Sequence, residues 1–242
     1  MRAMILAAGL GTRLQPFTDN LPKALVKIRD KTLLEIAITY LVRNGFDQII
    51  INVHHFAEQV INFIGQNNFG ADISISDERD KLLDTGGGLK KVSQFFKDGN
   101  PFILYNVDII SDLDLQSLYQ ANIISNSIAT LTVRKRESGR YLLFNSENIL
   151  CGWKNTKTGE LISSCSIDSL EEFAFSGIHI INPKIFSLMP DDDVFSMIEL
   201  YLDIMRENKI TAHIDRDSFW LDVGTAENLQ IADENFHLIS KS

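Results

Sequence analysis

Residues 9–25 read Gly9-Leu-Gly-Thr-Arg-Leu-Gln-Pro-Phe-Thr-Asp-Asn-Leu-Pro-Lys-Ala-Leu25, and they follow directly on the apolar run Ala3-Met-Ile-Leu-Ala-Ala8. An apolar strand that empties into a glycine loop brings backbone N–H groups close to a ligand, because a Cβ at Gly9 or Gly11 would hold that ligand away. Two cations follow, Arg13 inside the loop and Lys23 ten residues later. A guanidinium grips phosphate oxygens in pairs and an ammonium adds a compact point charge, so the two suit a triphosphate. A Walker A loop needs Gly-Lys-Ser/Thr after four spacers, which is absent here, and a dinucleotide fingerprint needs a third glycine where Leu14 stands.

Working outward, the short apolar runs Ala3–Ala8, Ile49–Val53, Ile73–Ile75, Phe102–Asn106 and Ala129–Val133 are rich in Ile, Leu and Val, as buried parallel strands are. Between them lie stripes at helical spacing. Leu34, Ile38, Leu41 and Val42 form one, ending near Asn44-Gly45; Val60, Phe63 and Ile64 form a second; Leu115, Leu118 and Tyr119 form a third. Strands alternating with helices predict an α/β fold with a doubly wound, mostly parallel sheet, and ligands at the carboxyl ends of its strands. After residue 135 the rhythm changes. Tyr141–Phe144, Leu150–Lys154 and Phe173–Ile181 read as strands of a small β-rich insertion, and helices return at Phe195–Arg206 and Thr225–Ile239. One domain, 1–242, is expected, with a core over 1–135, a β-rich region over 136–182 and a C-terminal part over 183–242. No hexapeptide repeat follows, so a C-terminal β-helix domain is not expected.

Of 242 residues, 45% are hydrophobic and 23% charged, which supports a full core and argues against disorder. The formal net charge of −9 disfavours nucleic acid and anionic lipid as partners, so a phosphate ligand needs a local basic pocket. No run approaches the ~18 apolar residues of a membrane span. Met1-Arg-Ala-Met-Ile-Leu resembles a leader's start, but Arg13, Asp19 and Lys23 follow too soon for a cleaved signal. Cys151 and Cys165, without C-x-x-C spacing, read as reduced structural residues of a cytoplasmic protein. His54 and His55 point to opposite faces of a strand and make a poor chelating pair.

Five segments, in order, resemble the sugar-1-phosphate nucleotidylyltransferases and span nearly the whole chain. The first is the loop above, similar to that family's G-x-G-T/S-R-x-x-P…P-K-P signature. The others are Ile51-Asn-Val-His-His-Phe-Ala-Glu-Gln-Val60, Asp84-Thr-Gly-Gly-Gly-Leu89, Pro101-Phe-Ile-Leu-Tyr-Asn-Val-Asp108 and Trp220-Leu-Asp-Val-Gly-Thr225. The resemblance implies a Rossmann-like nucleotidyltransferase fold, a nucleoside triphosphate and a sugar 1-phosphate as substrates, and Mg²⁺ as cofactor. It implies that Asp108 and Asp222 hold the metal, that Arg13 and Lys23 are catalytic, and that Ala8, Gly9, Gly11, Thr12, Arg13, Lys23, Thr85, Gly86 and Gly87 bind the nucleotide. It places the sugar near Asn106, Arg140, Glu172 and Gly177, the last in a Phe175-Ser-Gly177 turn.

Read for themselves, two strand-end aspartates fit a hard ion that takes one or two carboxylates plus phosphate oxygens. Asp222 is equally placed to cap the following helix, and Asp108 simply to end a strand. Three successive glycines carry a conformational-entropy cost that close backbone approach to something flat would explain; a flexible helix start is the alternative. Arg140 is either a cation for a carboxylated sugar or a solvated strand-edge residue. Three positions depart from the family: Ala24 replaces a proline and softens the loop, Val107 replaces a glycine and sets a branched side chain beside the expected phosphates, and Ala226 replaces a proline at the first turn of the last helix.

The reaction implied by the resemblance gives a nucleoside diphosphate sugar and pyrophosphate. N-acetylmuramate 1-phosphate with UTP fits first, mannose- or heptose-1-phosphate guanylyl transfer and choline-phosphate cytidylyl transfer next. A non-catalytic sensing module is disfavoured by the intact Arg13, Lys23, Asp108 and Asp222. A dinucleotide oxidoreductase is disfavoured by Asn52, which stands where an acidic residue should end the second strand. Base, sugar and oligomeric state (monomer or dimer) stay open.

Overall fold

The structure is a computed structural model that describes residues 1–236. The chain packs into two compact units drawn from interleaved stretches. One comprises Met1–Leu83, Leu104–Asp114 and the chain from Ser218 on; the other comprises Asp84–Ile103 and Leu115–Asp217.

In the first unit, strands Arg2–Leu6, Gln48–Val53 and Asp72–Asp77 run parallel, and strand Phe102–Asn106, which belongs to this unit from Leu104 on, borders Arg2–Leu6 on the other side. Ala3, Met4, Ile5, Ile49 and Ile51 are completely buried. Apolar residues on both faces are what a parallel sheet flanked by crossover helices requires, and those helices are Leu33–Arg43 and Ala57–Gln66. The first is started by Thr32, whose hydroxyl accepts from the Glu35 N–H at 3.0 Å. It stops at Asn44-Gly45, where Gly45 takes the left-handed φ of 82°. The ladder pairs Leu6 with Asn52 and Asn52 with Ser76, so the carboxyl ends of the three strands lie side by side. The fold is mixed α/β with a largely parallel central sheet, as the alternating rhythm predicts.

The second unit is built around the eleven-residue strand Glu171–Ile181. It pairs antiparallel with Ala129–Arg134 and with Arg140–Phe144, which Leu150–Asn155 and Leu161–Ser163 extend. Ile210–Ile214 joins Ala129–Arg134 in parallel. The three strands expected here are all present, and Leu161–Ser163 and Ile210–Ile214 are additions. Expected as a turn, Phe175–Gly177 is instead an irregularity inside one strand, where register shifts between Phe175 and His179. Gly177 supplies the φ of 78° that this bulge needs. Helix Met197–Ile204 is shorter than the expected Phe195–Arg206, because Ser196 and Glu199 cap each other's backbone N–H groups. Aromatic packing anchors the unit: Phe96 and Phe102 stack at 3.8 Å between centroids, with Phe186 against both.

The His179 ring nitrogen Nδ1 lies 2.8 Å from the Tyr201 hydroxyl, and burial draws the imidazole down to about 3, so it stays neutral at ordinary pH. The hairpin brings two free thiols together: Cys151 is buried and Cys165 exposed, with sulfurs 2.6 Å apart. Burial foremost pushes the Cys151 thiol up to about 11. The helix expected over Thr225–Ile239 runs Ala226–Glu234, and residues 237–239 lie outside the described residues. Among the described residues no helix is long and apolar enough to cross a membrane.

Candidate active site

Strand Arg2–Leu6 ends in a loop that its own residues shape. Ala7 and Ala8 are 6% exposed, and the Ala7 N–H donates to Asn52 Oδ1 at 2.7 Å. Gly9 is exposed, and a Cβ built on it meets nothing within 4 Å, so no packing within the protein explains this glycine. Gly11 differs: its φ is 68°, and a Cβ there would sit 3.0 Å from Thr18 Cγ2 and 3.1 Å from Lys23 Cβ. Gly11 O accepts from Leu14 N at 2.9 Å and from the Thr18 hydroxyl at 2.8 Å, which folds Thr12–Leu14 into a single 3₁₀ turn. That turn buries Leu14 completely and leaves Thr12 and Arg13 exposed.

Lys23 opens a second 3₁₀ turn, Lys23–Leu25, closed by Leu25 N donating to Pro22 O at 2.9 Å and Val26 N to Lys23 O at 3.1 Å. Ala24 is fully buried in it, so the loop is held without the family's proline. The Lys23 ammonium forms an ion pair with Asp108 Oδ2, and both side chains are 13% exposed. Val107, beside Asp108, is 4% exposed. Its side chain is buried, not exposed beside the site, and its backbone N–H donates to Leu6 O at 3.2 Å.

The two aspartates, 114 positions apart in the sequence, are brought together by a short ladder. Ile109–Ser111 pairs antiparallel with Trp220–Asp222, with Asp222 opposite Ile109, and Val223 N donates to Asp108 O at 2.9 Å. Asp222 is not the cap of the last helix. Thr225 holds that position, its hydroxyl accepting from Asn228 N at 3.3 Å. Asp222 Oδ1 takes the Gly224 N–H at 2.8 Å, and its carbonyl takes the Asn228 amide at 2.6 Å. A Cβ built on Gly224 would lie 2.7 Å from both Arg13 Nη2 and Asp222 Oδ1. Gly224 therefore marks where Arg13 and Asp222 meet, and sequence alone did not single it out although it sits in the Trp220–Thr225 segment. Lys23, Asp108, Asp222 and Arg13 thus gather in the first unit. Two hard carboxylates beside two fixed cations are a donor set suited to a magnesium ion and polyphosphate. Among the described residues no three or more His, Cys, Asp or Glu side chains form a further metal cluster. His54 has another occupation, its Nδ1 lying 2.6 Å from Glu78 O.

The second unit carries the other expected residues except Asn106, which lies in the first. Asp84–Lys91 is a helix, as one of the two readings of the glycines had it, and Gly86, Gly87 and Gly88 are buried in it. The N–H groups of Gly86 and Gly87 donate to Phe195 O at 2.9 and 3.2 Å, and the Thr85 hydroxyl accepts from Met197 N at 2.9 Å. The flat partner that the glycines admit is the Phe195 ring, since a Cβ on Gly86 would overlap it. A nucleotide role for Thr85, Gly86 and Gly87 rests on resemblance alone. Gly86→Ala is accordingly expected to destabilise the protein by about 1–3 kcal/mol through overpacking, read as a lower denaturant midpoint; an unchanged midpoint would contradict this packing role. Glu172 is paired with Lys154 at 2.7 Å, while Arg140 is exposed at the start of its strand. Asn106, half-buried, ends its strand two residues before Asp108.

A parallel α/β unit that ends its strands in a glycine loop, two cations and two carboxylates has the make-up of a polyphosphate-handling protein. The chain belongs to the nucleotidyl transferase family, whose model matches residues 2–237. It is 29% identical to the UTP–glucose-1-phosphate uridylyltransferase of Synechocystis over 93% of this chain, and it spans 60% of that protein's length. It is 28% identical to the N-acetylmuramate alpha-1-phosphate uridylyltransferase of Neisseria meningitidis over 96% of each chain. The crystal structure of HddC from Yersinia pseudotuberculosis complexed with GMP-PN superposes with a TM-score of 0.78 at 23% identity, covering 97% of this chain and 99% of that one, which shows a shared fold.

Proposed function

We propose that this protein joins a nucleoside triphosphate to a sugar 1-phosphate, releasing pyrophosphate and a nucleoside diphosphate sugar. The observation that carries this reading is the pairing of Lys23 with Asp108 and the approach of Arg13 to Asp222 at Gly224, in the unit whose first strand empties into the glycine loop. An oxygen of the sugar phosphate attacks the α-phosphorus, and the bond from that phosphorus to the bridging oxygen of the β-phosphate breaks toward pyrophosphate. No side chain is needed as nucleophile. The protein's task is to hold two anions together and to neutralise the charge that develops. Arg13 grips the leaving pyrophosphate through paired bonds, and Lys23, turning from Asp108, neutralises the α-phosphate. Asp108 and Asp222 would hold a magnesium ion, which supplies Lewis-acid charge neutralisation when bound.

Two of the relatives are named for uridylyl transfer to a sugar 1-phosphate, and one that matches 96% of the chain is named for N-acetylmuramate 1-phosphate. UTP and N-acetylmuramate 1-phosphate are the pair we assign, with Arg140 facing the sugar's carboxylate. Pyrophosphate release should be measured with four nucleoside triphosphates against a panel of sugar 1-phosphates, with wild type and Arg140→Ala. Release that needs both substrates, prefers this pair, and loses the preference for the carboxylated sugar in the variant is expected. Release without any sugar phosphate would refute the reaction, and an intact preference in the variant would refute the role of Arg140.

Gly9 gives an independent check. A methyl there is accommodated by the fold, so Gly9→Ala should keep the wild-type melting temperature while raising the KM for the nucleotide about tenfold or more, as lost ligand approach implies. A wild-type nucleotide KM would show that the loop does not hold the triphosphate.

A further inference from the structure

Beneath the loop runs a buried polar chain. Ala7 N–H donates to Asn52 Oδ1 at 2.7 Å, and Asn52 Nδ2 donates to Glu78 Oε1 at 2.9 Å. Asn52 is 3% exposed and Glu78 1%. Glu78 is itself fixed at the end of strand Asp72–Asp77, where its N–H donates to Val53 O at 2.7 Å and its carbonyl meets His54 Nδ1. Leu6 is the last residue of its strand and the register partner of Asn52. The next N–H along the chain is therefore captured by a side chain and not by a strand carbonyl, which is what releases the backbone from the ladder at this residue.

A fully buried carboxylate and amide are costly to keep unless their hydrogen bonds are made. An amide whose oxygen faces Ala7 and whose nitrogen faces Glu78 has only one correct orientation, because the carboxylate accepts and the peptide N–H donates. Glu78 thereby locks the Asn52 flip, and Asn52 locks the Ala7 peptide that leads into Ala8 and Gly9. We propose that Asn52 and Glu78 are positioning residues for the nucleotide: they set the backbone of the loop at Ala8 and Gly9 against the triphosphate without touching it. This rests on the reading of that loop as the nucleotide site.

The test exchanges the two groups. Asn52→Asp still offers an oxygen to Ala7 but turns its other oxygen toward Glu78, so two acceptors face each other. The nucleotide KM should rise about tenfold, as expected for a buried polar group without its partner, with the KM for the sugar 1-phosphate unchanged. Adding Glu78→Gln restores one donor facing one acceptor with the amide moved to position 78, and the nucleotide KM should return to within about threefold of wild type. An unchanged nucleotide KM in Asn52→Asp overturns the proposal. So does a double variant as impaired as the single, or equal rises in both KM values. If Asn52→Asp alone fails to fold, the double variant decides: folded with a near-native nucleotide KM it supports the pair, and folded with a raised one it overturns it. Gly9→Ala separates the two levels. If it raises the nucleotide KM while Asn52→Asp does not, the loop reading stands and the positioning pair falls; if it does not, the loop reading itself has failed.

Discussion

Asp108→Ala and Asp222→Ala are each expected to lower turnover by about 10²-fold or more, the scale of a lost electrostatic stabiliser in a preorganised site. The two carboxylates are held from different parts of the chain, Asp108 by Lys23 and Asp222 by the Gly224 N–H. Removing either leaves one hard ligand where magnesium would take two, and at position 108 it also leaves the Lys23 ammonium without its carboxylate, 13% exposed. Asn at either position keeps the shape and loses the charge, so Asp108→Asn and Asp222→Asn should raise the magnesium concentration giving half-maximal rate while keeping the fold. Excess chelator should abolish wild-type activity and added magnesium restore it. Full turnover in chelator, or in both alanine variants, would refute the metal assignment.

Gly224→Ala should produce the second large effect, and for a different reason. Its φ is not in the left-handed region, so alanine strains no backbone there, yet its Cβ would stand 2.7 Å from Arg13 Nη2 and from Asp222 Oδ1. The arginine tip yields cheaply because it is long and exposed. Stability should therefore change little while the guanidinium and the Asp222 carboxylate are displaced. A misplacement near 1 Å of a substrate-gripping group can cost about 10²-fold in rate, so turnover should fall on that order with a melting temperature close to wild type. Reduced turnover accompanied by unfolding, or full turnover in a folded variant, would contradict the place given to Arg13. Comparison with Arg13→Lys sharpens the result. Lysine keeps the charge but loses the paired bonds, so turnover should fall more than nucleotide binding.

Much of this was legible in the sequence because it depends on local pattern. Continuous Ile, Leu and Val runs announced the parallel strands, and helical stripes announced Leu33–Arg43 and Ala57–Gln66. The glycine loop with Arg13 and Lys23, and the strand-end Asp108 and Asp222, were named from residue type and order, and all lie in one unit. What stayed hidden depends on partners far along the chain. Glycine weakens any helix, so the three glycines from Gly86 left a helix start and a close flat partner as alternatives until the distant Phe195 supplied the reason for Gly86. Val107 looked exposed to substrate because sequence does not say which face of a strand end is turned inward. Gly177 was placed in a turn because a left-handed glycine serves turns and bulges alike. Asn52 and Glu78, 26 residues apart, carry no local mark of their hydrogen bond.

In the proposed reaction the nucleotidyl group passes directly from the triphosphate to the sugar phosphate, with no covalent enzyme intermediate. Turnover of a single diastereomer of a nucleoside 5′-(1-thiotriphosphate), followed by assignment of the thio-sugar nucleotide's configuration at phosphorus, tests this most directly. One in-line displacement inverts the α-phosphorus, so inverted product is predicted. Retention, which requires two displacements through an enzyme-bound nucleotidyl group, would contradict it.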